Sequence, residues 1–105
     1  MLTVGPYEFT LDDARNTLRD SGEIIDLMSR GHEGVLQHLH ELLSRLLDGV
    51  DPMRASDEVV ETLLPSVWSV LAAAVPTLRA AGATPPPADG LVVQVNSGKI
   101  GRAHV

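Results

Sequence analysis

The chain has 105 residues, 44% of them hydrophobic, and eight basic against fourteen acidic residues give a formal net charge of -6. That balance is globular rather than disordered, and basic residues scattered from Arg15 to Arg102 form no cluster able to track a phosphate backbone or an anionic bilayer, so neither nucleic acid nor membrane is an expected partner. The absence of cysteine excludes disulfides, thiolate metal sites and cysteine nucleophiles, and it fits a reducing, cytoplasmic setting.

No uninterrupted apolar run approaches eighteen residues, which predicts no transmembrane helix. The start, Met1 to Pro6, has no basic segment followed by an apolar one, which predicts no signal peptide. With three aromatics, Tyr7, Phe9 and Trp68, a core must be built from Leu, Val, Ile, Met and Ala.

Leu2, Val4, Tyr7 and Phe9 around Gly5-Pro6 predict a short strand or a turn-broken pair of strands. Thr10 can cap a helix whose first turn holds Asp12 and Asp13, and Leu11, Ala14 and Leu18 carry it over residues 11–20. Asp20-Ser21-Gly22-Glu23 reads as an interruption, with the capping-box spacing of Asp20 and Glu23 opening a second helix. Along that helix Met28, His32, Val35, Leu39, Leu42 and Leu46 alternate by four and three residues, and Ile25, Leu36, Leu43 and Leu47 widen the seam. Gly31 and Gly34 weaken its early part by about 1 kcal/mol each, and Asp48-Gly49 ends it.

A third helix starts at Asp51-Pro52 or at Ser56. Its seam is Val60, Leu64, Val67, Leu71, Ala74 and Leu78, interrupted by Pro65 and Pro76, which share one face. Two long seams joined by a short connection predict an antiparallel helical hairpin. The expected fold class is therefore mainly α with minor β: that hairpin, a short N-terminal strand-like segment, and a C-terminal strand after a proline-rich linker. In domain terms, residues 1–82 are expected to form a helical module and residues 83–90, with Pro85-Pro86-Pro87, an extended linker. Residues 91–98, opening with Leu91-Val92-Val93-Gln94-Val95, are expected to be the first strand of a second domain.

The last six residues, Ile100-Gly101-Arg102-Ala103-His104-Val105, match the translation of a common short-read sequencing adapter, ATC GGA AGA GCA CAC GTC, whose next codon in frame is the stop TGA. The preceding AG of the adapter completes a codon for Lys99. Residues 99–105 are thus expected to be adapter translation, and the chain an N-terminal fragment of a larger protein cut near Gly98. The competing reading makes Ile100 and Val105 part of a second hairpin strand.

Candidate chemistry is sparse. His32-Glu33 is followed by Leu36 where a zincin needs histidine, and the same Leu36 defeats a di-iron Glu-x-x-His pair. His38 and Glu41 are two ligands where a metal needs more. His32, in the seam, is the one histidine expected to be buried. No Gly-x-Ser-x-Gly elbow or Gly-x-Gly-x-x-Gly turn occurs. Gly98-Lys99 fails as a phosphate loop, with Val93 in place of the first glycine and Ile100 in place of Ser or Thr. Asp57, Glu58 and Glu61 fit a helix N-terminus, and Trp68 fits the core or its edge. No catalytic, cofactor-binding or metal-binding residue is assigned, and no cofactor is expected.

The segment Val67-Trp68-Ser69-Val70-Leu71-Ala72-Ala73-Ala74-Val75-Pro76-Thr77-Leu78-Arg79-Ala80-Ala81-Gly82 resembles a central helix of short-chain dehydrogenases, and Leu91 to Gly98 resembles the strand that follows it. The resemblance covers about a quarter of the chain and implies an oxidoreductase fragment in which Ser97 falls near the family's catalytic serine. The N-terminal half holds no glycine-rich cofactor turn, and no site is carried over. Residues 1–82 are also similar in layout, a strand followed by acidic helices, to phage tail-assembly chaperones.

The leading expectation is a non-catalytic helical protein–protein interaction or regulatory module. Its working face is placed on Met28, Val35, Leu39, Leu42, Leu46, Val60, Leu64, Val67 and Leu71, whose apolar area exceeds what one hairpin covers. The expected partner is the chain's own downstream domain or another protein chain, a second copy included.

Overall fold

Alternation begins the fold: Leu2, Val4, Tyr7 and Phe9 turn inward while Thr3 and Glu8 are exposed. Leu2–Val4 (β1) and Tyr7–Phe9 (β2) pair antiparallel with Leu2 opposite Phe9 and Val4 opposite Tyr7. The two-residue turn places Gly5 at φ 59, the positive φ required at the first central position of a primed hairpin turn. This is a computed structural model, and it describes residues 2–87 and 89–92.

The first helix, α1, spans Leu11–Met28 and starts as expected, with the Thr10 hydroxyl accepting from the Asp13 amide at 3.0 Å. It does not stop at Asp20-Ser21-Gly22-Glu23. Ala14, Leu18, Ser21 and Ile25 make one buried stripe at helical spacing, and small Ser21 fits the stripe because its hydroxyl donates to the Leu18 carbonyl at 3.0 Å. Thr17, fully buried, donates likewise to the Asp13 carbonyl at 2.8 Å. The carboxylate of Asp20 is met by both Nε and Nη2 of Arg19, at 2.8 and 3.2 Å. Polar residues that favour turns are thus satisfied without leaving the helix.

The long second helix of the sequence reading is divided. Its first part belongs to α1, and its last part is α2, Gln37–Leu46. Between them Gly31 and Gly34 take φ 81 and φ 96, left-handed values that end a right-handed helix. The loop still delivers Leu36 to the core at 1% exposure, so the four–three spacing persists across a break in the backbone.

The third helix, α3, spans Asp57–Ala80 and begins at Ser56, whose hydroxyl accepts from the Val59 amide at 3.3 Å. It runs through Pro65 and Pro76, both exposed. Placed on the solvent side, each proline removes a backbone bond where water can replace it. A Gly82 with φ 86 closes α3: the Ala83 amide donates to the Leu78 carbonyl and the Gly82 amide to the Arg79 carbonyl, a Schellman arrangement.

The helical pair that dominates the packing is α1 with α3, with α2 laid against α3. The core holds Phe9, Ala14, Leu18, Ile24 and Ile25 against Val60, Leu64, Val67, Leu71, Ala74 and Leu78, with Leu36 and Leu43 from the α2 side. All three aromatics meet there: Trp68, 4% exposed, stands edge-on to Phe9 at 5.3 Å and to Tyr7 at 5.8 Å, which ties the hairpin to α3.

By length and composition α3 is long and apolar enough to cross a bilayer, a property that the search for uninterrupted apolar runs does not register. Its inner stripe is occupied by α1, as in the core helix of a globular fold.

After Gly82 the proline-rich segment returns to the body. Residues 89–92 make one helical turn, with the Leu91 amide donating to the Pro87 carbonyl at 3.2 Å. Leu91 is fully buried in the same core, and the Tyr7 hydroxyl donates to Asp89 Oδ1 at 2.6 Å. Leu91 and Val92, expected to open a strand, are therefore helical, and the rest of that expected strand, 93–98, lies outside the described residues, as do 99–105.

Candidate interaction surface

The nine residues of the expected face separate into two groups. Val60, Leu64, Val67 and Leu71 are all 0% exposed. They pack against α1 and the hairpin inside the chain's own core. Met28, Leu39, Leu42 and Leu46 are half-buried, and Val35 is 36% exposed. The outer group thus lies at the end of α1, in the glycine loop and on α2, whose single fully enclosed residue is Leu43.

A second apolar area, missed in the sequence, lies where the α2–α3 connection meets α3. Val50, Val59, Thr62 and Leu63, with Glu58, line a shallow depression of about 240 Å³. Val59 is 38% exposed, and Met53, in the connection, is 47% exposed. The signal available in the sequence was weak: Val59 and Leu63 sit four residues apart, one position before the seam residues Val60 and Leu64.

One side chain holds that connection in place. Arg15, on α1, donates from Nη1 to the carbonyls of Pro52 at 2.9 Å and Ala55 at 2.7 Å, and from Nη2 to Asp57 Oδ1 at 2.6 Å. Its side chain is only 17% exposed. The planar guanidinium reaches three acceptors at once, two of them carbonyls of the α2–α3 connection.

A cleft of about 250 Å³ lies between the end of α1 and the start of α2, lined by Asp26, Ser29, Glu33, Gly34, Leu36, Gln37 and His40. His40 Nε2 lies 2.8 Å from Asp26 Oδ1 and links the two helices. The carboxyl of Glu33 is held below its ordinary range, first by its own backbone N–H and then by that of Gly31, which donates to Oε1 at 3.3 Å. His32, expected to be buried, is half-exposed because its loop has left the helix. His38 and Glu41 are exposed. Among the described residues no three metal-ligating side chains gather. Asp57, Glu58 and Glu61 open α3, with Asp57 taken by Arg15. Ser97, the position aligned with a dehydrogenase serine, lies outside the described residues.

No family model matches the sequence, and neither a curated protein nor a solved structure matches it.

Proposed function

We propose that the chain is a non-catalytic helical interaction module, acting in the cytoplasm, that recognises another protein through apolar side chains its own fold leaves uncovered. The observation that carries this reading is the exposure of Val35, Met53 and Val59, at 36%, 47% and 38%, beside Met28, Leu39, Leu42 and Leu46, which the core leaves half-buried. Met53 lies in the α2–α3 connection and Val59 lines the depression where it meets α3, while Val35 lies in the glycine loop at the other end of α2. Uncovered aliphatic side chains beside a depression support a surface that takes a partner.

The test uses a dye that fluoresces on apolar surface. The native chain is expected to bind it, and the triple variant Val35→Ser, Met53→Ser, Val59→Ser is expected to lose most of that signal while melting at the same temperature. Absence of binding by the native chain, under conditions where it is fully folded, contradicts the reading. Light scattering then separates the kinds of partner: a monomer across the concentration range removes self-association.

A further inference from the structure

The helical body is closed at Gly82, where the Gly82 and Ala83 amides bond back to the carbonyls of Arg79 and Leu78. Among the described residues, no backbone hydrogen bond joins residues 84–92 to the hairpin or to α1, α2 and α3. Pro85, Pro86 and Pro87 have no N–H to offer, and their fixed φ makes a stiff arm rather than a coil. The arm leads to the single turn 89–92, far too short to persist as a free helix. The turn is therefore formed because it is docked. Leu91 docks it from inside, 0% exposed in the core cluster that holds Phe9 and Trp68. Asp89 docks it from outside, accepting from the Tyr7 hydroxyl at 2.6 Å in a bond at the surface.

We infer that residues 89–92 are a releasable strap, with Leu91 as its bolt and the Tyr7–Asp89 bond as its latch, which opens while α1 and α3 stay folded and leaves a leucine-sized apolar seat open to water. Opening it gives up one fully buried leucine and one surface hydrogen bond, whereas opening α3 gives up the whole buried stripe from Val60 to Leu78. The strap is thus the lower-energy opening. Because the latch lies at the surface and the bolt does not, a change on the solvent side of Tyr7 or Asp89 loosens the strap without entering the core. The apolar surface that the chain shows then varies with the strap, independently of Val35, Met53 and Val59.

Hydrogen exchange in the full chain reads the strap, because the Leu91 amide donates to the Pro87 carbonyl only while the turn is formed. That amide is expected to exchange at least roughly tenfold faster than the inner amides of α3 and to respond little to low urea, to which the inner amides respond steeply. Tyr7→Phe keeps the ring beside Trp68 and removes the latch, and is expected to speed the Leu91 amide roughly fivefold. Leu91→Ser is expected to keep the far-ultraviolet helix signal and to raise apolar-dye binding roughly twofold, also in the Val35→Ser, Met53→Ser, Val59→Ser background. With the bolt gone the latch holds nothing, so adding Tyr7→Phe to Leu91→Ser is expected to leave the melting temperature unchanged. Exchange of Leu91 at the rate and urea dependence of the inner α3 amides would overturn the inference. So would collapse of the helix signal in Leu91→Ser, or equal destabilisation by Tyr7→Phe with and without Leu91. A Leu91 exchange rate that depends on chain concentration would also overturn it, since the seat would then be filled by a second copy.

Discussion

Arg15 is where one side chain decides the most. Replacing it with methionine keeps the aliphatic stem and removes three hydrogen bonds, leaving the Pro52 and Ala55 carbonyls to water. A loss of about 2 kcal/mol in unfolding free energy is expected, measured by urea denaturation, and lysine in its place is expected to recover little, since an ammonium cannot reproduce the fork. Tyr7 offers a second, spectroscopically clean reading because it is the only tyrosine. Its hydroxyl donates to Asp89, and that bond, then burial and the carboxylate's charge, raise its pKa above 10.0. The sign is that of a group whose proton the folded state holds more tightly: the contact is intact below the unfolded pKa and is lost as pH rises through the folded one. The tyrosinate absorbance change is expected to occur above pH 10.0 in the native chain and to move down towards that value in Asp89→Asn. No movement on that substitution would show that the C-terminal turn does not rest on β2.

Helices make the contrast between two glycines. Gly22 lies inside α1, and a Cβ added there meets nothing within 4 Å. Gly22→Ala is expected to stabilise the chain by about 1 kcal/mol. Gly34 also has open space, but its φ of 96 is one an L-residue rarely adopts, so Gly34→Ala is expected to destabilise by about 1 kcal/mol or more. Thermal melts of the two variants should move in opposite directions. The same pair explains what the sequence made legible. Caps were readable because one hydroxyl at the right offset is enough: Thr10 and Ser56 start α1 and α3. The α3 stripe was readable because Pro65 and Pro76 lie off it, on the exposed side of the helix. The division between α1 and α2 was misplaced because Asp20-Ser21-Gly22 has turn composition but its side-chain oxygens are satisfied within the helix, while Gly31 and Gly34 sit inside an unbroken four–three pattern. Which helix α3 would pair with was not legible either, since periodicity names a buried face and not its neighbour.

For the molecule as a whole, the apolar seam of α3 is covered by α1 and the aromatic trio, so the apolar side chains left uncovered are not those its leucine count pointed to. They lie on α2, its flanking loops and the first turns of α3. The half of the candidate face on α3 was legible as a stripe but not as core, because burial depends on what lies opposite. The depression at Val59 comes from how the α2–α3 connection meets α3, which no local pattern announces. A helix with one fully enclosed residue, joined by two loops, should also open more readily than the pair that carries the core. Native-state hydrogen exchange, read amide by amide, measures this directly. The inner amides of α1 and α3 are expected to exchange only through global unfolding, and those of α2 through a local opening of lower free energy. Equal protection of α2 and α3 with a weakly protected α1, the pattern of a hairpin built from the two long seams, would contradict it.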